Sequence, residues 1–508
     1  MGDGPMPEAP TRIALGTMAS LWPLHDQAAT RALELAAAAD LPAHTLMQRA
    51  GTAAARLVLA LRPHASRIWI AVGPGHNGGD GLAAAAWLRQ AGRSVTVALA
   101  PGLTLPADAA DALERARAAG VDFIDSPSPP PACGTADVAI DALFGLGLSR
   151  PADGWALDAI RALNTAAAPV LAIDLPSGLD GDRGVAVGEA VRARWTLTML
   201  TLKPGLFTAE GRDHAGEVWL DTLGLPLDAD RAVADLMTGS PTAWPPRPHA
   251  GHKGRFGDVW VVGGAAGMSG AALLAARAAL RAGAGRVLCV PLDPEAPRLD
   301  PRCPELMWRP AAALHEPATA LEAATVVAGC GGGEALAPWL PTLLSRAGRL
   351  LLDADALNLL ARDPALAALL AARAARDRPT VLTPHPLEAA RLLWHSTAAL
   401  QADRLAAAQD LADRHRAVVV LKGSGSIVAA PGRRPAVNAS GNAALATAGA
   451  GDVLAGWIGG LWAQGLAAED AARLGVHGHG AAADRWRAGQ THDIVLPASR
   501  LIELLPPA

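Results

Sequence analysis

Between Trp22 and Arg62 apolar residues recur at helical spacing (Leu33, Leu35 and Leu41, then Leu46, Met47, Ala50, Ala54, Leu57 and Leu61), which predicts two amphipathic helices. Beyond Arg62 the period changes. Short apolar runs at Ile68–Val72, Val95–Leu99, Val138–Leu143 and Val170–Ile173 alternate with helical stretches at Leu82–Ala91, Ala107–Ala119 and Leu157–Thr165. A strand-helix rhythm of this kind predicts an α/β fold with a doubly wound, mostly parallel sheet. The pattern fails between Leu225 and Gly251, where Pro226, Pro241, Pro245, Pro246 and Pro248 fall. It then resumes through Val259–Val262, a helix at Ala271–Arg281, Arg286–Val290, Thr325–Ala328, Leu350–Leu352, Thr380–Leu382 and Val418–Leu421, closing with helical sequence from Asp452. A chain of 508 residues exceeds the roughly 250–300 that one core supports, so two domains are expected. Their expected bounds are 20–238 and 252–506, with 239–251 as a Pro-rich linker. The halves share a rhythm but no motif, so neither repeats the other.

Composition narrows the class. With 51% hydrophobic residues, 18% charged and a net charge of −4, the chain is neither intrinsically disordered nor a basic nucleic-acid binder. The longest uncharged apolar stretch, Val453 to Ala468, contains four glycines and Gln464 and falls short of the roughly 18–20 residues of a membrane span. The opening residues MGDGPMPEAPTR lack the basic and apolar regions of a signal peptide, so the expected location is cytoplasmic. Cys133, Cys289, Cys303 and Cys330 show no C-x-x-C spacing and read as plain thiols rather than a disulfide framework or zinc site. Lysine is scarce: only Lys203, Lys253 and Lys422 stand among 44 basic residues, alongside five asparagines and no tyrosine. A lysine retained in so Arg-rich a chain is a candidate for a position where a guanidinium would not serve.

In parallel α/β sheets ligands bind outside the carboxyl ends of the strands, so the turns after the strands carry the chemistry. Three stand out in the first half. Ile68–Val72 runs into GPGHNGGDG (Gly73 to Gly81), Val138–Ile140 into DALFGLGLSRP (Asp141 to Pro151), and Val170–Ile173 into DLPSGLDGD (Asp174 to Asp182). The first has five glycines in nine residues, which suits close backbone approach to an anion at a helix start. Asn77, Asp141 and Ser177 offer oxygens suited to a hard cation rather than zinc. In the second half HKGRFGDV (His252 to Val259) precedes a strand ending in VVGGAAGMSGAA (Val261 to Ala272). Asp353, Asp355 and Asn358 follow another strand. His385 and Glu388 stand at a strand-to-helix turn, Lys422 precedes a glycine-serine loop suited to phosphate, and Gly449-Ala450-Gly451-Asp452 opens a helix. Asp452 in that company reads as a general base beside a nucleotide phosphate rather than a helix cap.

GPGHNGGDGL, DALFGLGLSRP and DLPSGLDGD resemble the epimerase domain of the bifunctional NAD(P)H-hydrate repair family. HKGRFGDV, GGAAGMSGAA, DADALNLLA, TPHPLEA, LKGSGSIV and NAALATAGAGDVLAG resemble its dehydratase domain, a member of the ribokinase-like superfamily. Nine motifs in the family's order cover nearly the whole chain from Trp22. The resemblance implies a Rossmann-like three-layer α/β/α domain followed by a ribokinase-like α/β domain. It implies repair of NADH or NADPH hydrated across the C5–C6 bond: the first domain interconverts the R and S epimers at C6, and the second dehydrates the S form with ADP, releasing AMP and phosphate.

Carried over by motif, the resemblance implies substrate contacts at His76, Asn77, Gly78, Gly79 and Asp80, at Gly145, Leu146, Gly147, Leu148, Ser149, Arg150 and Pro151, and at Asp174, with potassium on Asn77, Asp141 and Ser177. In the second domain it implies substrate at Ala266, Gly331, His385 and Asp452. Nucleotide falls at Lys422, Gly423, Ser424, Gly425, Ser426 and Gly451, with magnesium accompanying the ADP. This chain departs from the family at His76, where Asn is usual, at Gly329-Cys330-Gly331-Gly332-Gly333, where G-P-G-L-G is common, and at Gly441-Asn442-Ala443-Ala444, where G-N-P-G is common. Asp452 and Asp174 are the implied catalytic groups. The partners expected are small molecules, with neither nucleic acid nor membrane and with room for a homo-oligomer. The competing readings are a ribokinase-like small-molecule kinase with a non-catalytic first domain, a scaffold that has lost turnover, and a plain dehydrogenase. The last lacks a G-x-G-x-x-G after its first strand.

Overall fold

A computed structural model describes residues 9–14, 21–130, 133–148, 150–240, 243–315, 319–492 and 494–506. The chain forms two compact units that divide between Leu236 and Met237.

The first unit is built on an eight-stranded sheet. Its strands are β1 (Thr11–Arg12), β2 (Arg67–Val72), β3 (Ser94–Leu99), β4 (Asp122–Ile124), β5 (Val138–Ala142), β6 (Val170–Ile173), β7 (Trp195–Met199) and β8 (Glu217–Asp221). They lie in the order β1-β8-β7-β6-β5-β2-β3-β4, all parallel except the β1–β8 pair. Alternation along the strands makes the layers. Ile68, Ile70 and Val72 point into one core with the helices Thr45–Leu61, His76–Gln90 and Ala107–Ala118. Trp69 and Ala71 point into a second core with Ala159, Ile160 and Leu163 of the helix Gly154–Thr165. A strand buried on both faces is apolar throughout, which explains the uninterrupted run IWIAV. The result is the expected three-layer α/β/α arrangement.

The helix expected from Leu82 begins at His76. Its glycines have no positive φ. They are contact surfaces: a Cβ on Gly81 would lie 2.4 Å from Ala142 Cβ, and one on Gly79 would lie 2.4 Å from Met47 Cε. Ala83 meets Gly51 in the same close fashion. The glycine-rich sequence therefore seats a helix hard against β5 and the neighbouring helix, and only Gly73 to Gly75 form the turn itself.

The second unit carries a sheet of β9 (Asp258–Gly263), β10 (Arg286–Pro291), β11 (Met307–Trp308), β12 (Thr325–Ala328), β13 (Arg349–Leu352), β14 (Thr380–Leu382), β15 (Val418–Leu421), β16 (Ile427–Ala429) and β17 (Ala436–Asn438). They run β11-β10-β9-β12-β13-β14-β15-β16-β17, parallel as far as β15 and antiparallel beyond it. Val259 and Val261 share one core with the helices Ser269–Arg281, Ala450–Ala463 and Ala468–Ala488. The glycines within the apolar stretch at Val453–Ala468 are packing devices. Cβ atoms on Gly456 and Gly460 would collide with the Ala275 and Ala279 carbonyls, and one on Gly459 with Val327. No described helix is long and apolar enough to cross a membrane. This unit has the α/β architecture expected from the sequence, a parallel sheet extended by antiparallel edge strands.

Candidate active sites

In the first unit the turns after β2, β5 and β6 meet at one cavity of about 860 Å³. Among its lining residues are His76, Asn77, Asp80, Gly145, Leu146, Gly147, Asp174 and Lys203. Asp174 follows β6 with φ 65°, a left-handed conformation that an Asp tolerates better than most residues. It is held there by its backbone N–H, which donates to Leu197 O at 2.7 Å. Its Oδ1 accepts from Lys203 Nζ at 2.6 Å. Lys203 is fully buried, and also donates to Thr198 Oγ1 and Met199 O, at 3.0 and 2.7 Å. It thus combines a structural role, capping a carbonyl, with the fixing of a carboxylate. A Cβ on Gly145 would lie 3.0 Å from Asp174 Oδ2 and 3.6 Å from Asn77 Cβ, so the β5 turn closes tightly on the other two.

Behind this cavity Asp141 is fully buried. Ser177 donates to it twice, from Oγ at 2.6 Å and from its backbone N–H at 2.7 Å. Burial pushes the Asp141 carboxyl up to about 6, with the hydrogen bonds from Ser177 opposing the shift. Ser177 Oγ also accepts from Phe144 N–H at 2.9 Å, tying the β6 turn to the β5 turn. Asn77 is buried with both side-chain polar atoms unpartnered. A buried amide without partners is costly, so this one asks for a ligand. Asn77, Asp141 and Ser177 supply the oxygens with which a hard cation could satisfy it. Ser149 lies outside the described residues, and Leu148, Arg150 and Pro151 are not among those lining the cavity.

In the second unit the centre is an aspartate whose importance the sequence reading missed. Asp353, at the end of β13, is buried and accepts from Lys422 Nζ at 2.7 Å and from Thr383 Oγ1 at 2.7 Å. Cys330 Sγ, an Asp353 oxygen and an Asp452 oxygen lie within 4.8 Å of one another. Cys330 is a free thiol, as expected; burial, then the charges of Asp452 and Asp353, push it well above its ordinary range and keep it protonated. Burial and the nearby Asp353 charge push Asp452 up to about 6, with Cys330 and Lys422 opposing. The available signal was DADALN itself, in which Asp353 directly follows the apolar run. Asp355 and Asn358 turn elsewhere: Asp355 accepts from Gly333 N–H at 2.8 Å, and Asn358 pairs with Arg391 at 2.5 Å.

Around this centre Lys422 and the glycine-rich turns come together. A Cβ on Gly451 would lie 3.3 Å from Lys422 Nζ, so the helix start and the lysine abut. Gly449 sets that start in a left-handed conformation, φ 87°. Gly423 and Gly425 have φ of 139° and 61°, which only glycine adopts freely. The buried Arg404 braces this loop by donating to Lys422 O at 3.2 Å. Gly331 O accepts from Ala265 N–H at 2.7 Å, joining the turns after β9 and β12 and bringing the Ala266 turn beside Cys330. His385 is exposed and caps the helix Pro386–Leu393: its Nδ1 accepts backbone N–H groups and its Nε2 lies 3.0 Å from Glu388 Oε1. Lys422 N–H donates to Pro384 O, which places the His385 turn alongside the same lysine. Lys253 is exposed, on a short 3₁₀ turn outside this cluster.

The family profile for NAD(P)H-hydrate dehydratase matches residues 259–507, and the profile for the YjeF-related protein N-terminus matches residues 43–205. A bifunctional NAD(P)H-hydrate repair enzyme of Coxiella burnetii is 39% identical over 91% of this chain and 94% of its own. The protein of that name from Escherichia coli is 37% identical over 89% and 87%, and that of Thermofilum pendens 35% over 86% and 87%. A solved ADP/ATP-dependent NAD(P)H-hydrate dehydratase from Bacillus subtilis, crystallised with ATP and Mg²⁺, is 31% identical over 52% of this chain and 92% of that one, with a TM-score of 0.43. The chain belongs to the family of bifunctional NAD(P)H-hydrate repair enzymes, joining an NAD(P)H-hydrate epimerase to an NAD(P)H-hydrate dehydratase.

Proposed function

We propose that the cavity of the first unit binds hydrated NADH or NADPH for exchange of its C6 epimers, and that the Asp353–Lys422–Asp452 centre dehydrates the S epimer with ADP. On this reading residues 20–238 form the epimerase domain, 239–251 a Pro-rich linker and 252–506 the dehydratase domain, working in the cytoplasm. The observation that carries it is the juxtaposition of Asp452 with Lys422, which is anchored on Asp353 and abuts the glycine-rich opening of the helix that bears Asp452.

Hydroxide is a poor leaving group, and a phosphate ester is a good one. Asp452 takes the proton of the C6 hydroxyl as the hydroxyl oxygen attacks the terminal phosphate of ADP and AMP departs. Phosphate then leaves C6 with the C6–O electron pair, and C5 loses a proton to solvent to form the C5=C6 bond. Lys422, anchored by Asp353, and the backbone N–H groups at Gly449 to Gly451 and Gly423 to Ser426 hold the charge on the transferring phosphoryl. A magnesium ion accompanying the nucleotide would neutralise phosphate charge, and Asp353 and Asp452, with oxygens within 4.8 Å of each other, are the residues that would hold it. Substrate lies along Ala266, Gly331, His385 and Asp452.

In the first unit, substrate lies along His76, Asn77, Asp80, Gly145, Leu146, Gly147 and Asp174, and Asp174 handles the hydroxyl proton. Asn77, Asp141 and Ser177 would hold a potassium ion, which would fix the three turns relative to one another. The test separates the two sites. Asp174→Asn abolishes epimer exchange and spares dehydration of pure S epimer, whereas Asp452→Asn does the reverse; loss of both activities in either variant contradicts the assignment.

A further inference from the structure

Among the carboxyl groups that line the epimerase cavity, Asp174 and Asp80 stand in opposite electrostatic settings. Asp174 Oδ1 accepts a hydrogen bond from the Lys203 ammonium at 2.6 Å. Asp80 stands on the helix His76–Gln90 one turn beyond Asn77 and lines the same cavity. No described residue donates a hydrogen bond or an ammonium to it, and the charges that act on it are the negative ones of Asp174 and Glu34. Burial foremost, then those two charges, push the Asp80 carboxyl well above the usual range.

The remaining charged groups facing the cavity do not alter this division. Arg31, from the helix Gln27–Asp40, leans toward Leu146 O at 3.4 Å. Glu34 comes from that same helix and opposes ionisation of Asp80. His44 lies 2.6 Å from Asp108. His76 stands at the exposed start of its own helix. Lys203 is committed to Asp174, Thr198 and Met199.

Two carboxyl groups whose environments separate their protonation states form an acid and base pair. We infer that Asp80 is a catalytic acid of the epimerase, giving its proton to the departing C6 hydroxyl while the Asp174 carboxylate serves as the complementary base. The inference rests on the epimerase reading of this cavity and goes beyond it, since that reading gives Asp80 only a binding role.

The step balances as follows. Asp80 protonates the C6 hydroxyl, the C6–O bond breaks with its electron pair, and water departs. The ring nitrogen N1 donates its lone pair to form N1=C6, leaving an iminium between two carboxylates. Water then bonds C6 from the opposite face, Asp174 accepts the proton it sheds, and N1 recovers its lone pair. The reverse epimerisation starts from the resulting state, with Asp174 protonated and Asp80 ionised, or solvent resets the pair.

The experiment uses the full chain with potassium present, purified R and S hydrated NADH, and epimer exchange followed by chromatography across a pH series after subtraction of the uncatalysed rate. Wild-type exchange establishes the activity; its absence counts against the epimerase reading itself. With it established, Asp80→Asn lowers kcat by about 100-fold or more with KM little changed, the range associated with loss of a general acid. Wild-type kcat/KM falls at alkaline pH as Asp80 loses its proton, the residual rate of Asp80→Asn lacks that limb, and Asp80→Glu restores part of the rate together with the limb. A kcat for Asp80→Asn within a few-fold of wild type overturns the inference, as does an alkaline limb that persists unchanged in that variant. A loss of rate that Asp80→Glu does not relieve at any pH also overturns it, because a purely steric role is then sufficient.

Discussion

Lys422 Nζ lies 2.7 Å from Asp353 Oδ1, and the buried aspartate, rather than the lysine, is the fixed member of the pair. Thr383 holds Asp353 from the other side, while Lys422 ends at the helix start that carries Asp452. Removing Asp353 therefore frees the ammonium and strips it of its orientation. Asp353→Asn is expected to lower nucleotide-dependent dehydration by about 100-fold, the scale associated with a lost preorganised charge. Asp353→Ala is expected to destabilise the unit by about 2–4 kcal/mol, since it leaves a part-buried lysine without its partner. Steady-state kinetics and denaturant unfolding of the two variants check both effects.

The pH dependence of dehydration follows from Asp452, whose carboxyl is raised to about 6. A general base works ionised, so the rate falls as pH drops through about 6 and levels above it. Because the folded protein holds this group above the ordinary carboxyl range, its ionised form opposes folding at higher pH. Asp452→Asn is thus expected to be inactive yet more stable than wild type near pH 8, read as a higher unfolding midpoint. A pH-independent rate between 5 and 8 contradicts the base assignment.

Lys203 is fully buried against Asp174, Thr198 and Met199. Lys203→Met keeps the bulk and removes the charge. It is expected to abolish epimer exchange and to cost about 3–5 kcal/mol of stability, because Asp174 then loses its counter-charge in a largely buried setting. Dehydration of the S epimer, performed at the other site, is the control.

Asn77 has a buried amide with both polar atoms unpartnered. Asn77→Ala is expected to weaken the potassium dependence of epimer exchange. Titration with potassium, with sodium as the comparison, detects this as a rise in the concentration needed for half-maximal rate. An unchanged potassium curve contradicts a role for Asn77 as a ligand.

Gly81 sits where a Cβ would lie 2.4 Å from Ala142 Cβ. Gly81→Ala forces the helix away from β5, with an expected cost of about 1–3 kcal/mol as for other overpacked sites. The displaced helix carries Asn77 and Asp80, so epimer exchange falls as well. Calorimetry and the exchange assay report the two consequences.

The strands and layers were legible because strands buried on both faces leave continuous apolar runs, and IWIAV and VVVL are such runs. The turns that follow them converge as expected, because parallel strands present their carboxyl ends on one side. Two things were not legible. The start of the helix at His76 was hidden by glycines, which local propensity reads as a turn but which the packing against Ala142 and Met47 requires. The centrality of Asp353 and Lys203 was hidden because burial, not sequence spacing, makes each the partner of a particular opposite charge. A count of lysines pointed toward Lys422 and Lys203, but it could not distinguish them from Lys253, which is exposed.

The central claim is that two sites on one chain act in sequence on a hydrated dinucleotide. Incubation of the full chain with a mixture of R and S hydrated NADH, with ADP, magnesium and potassium, followed by absorbance of the dihydronicotinamide, tests it most directly. Recovery of all the NADH from both epimers is the result expected, with recovery stopping at the S fraction in Asp174→Asn. Accumulation of a stable phosphorylated product, or recovery of the S fraction alone by the unaltered chain, contradicts it.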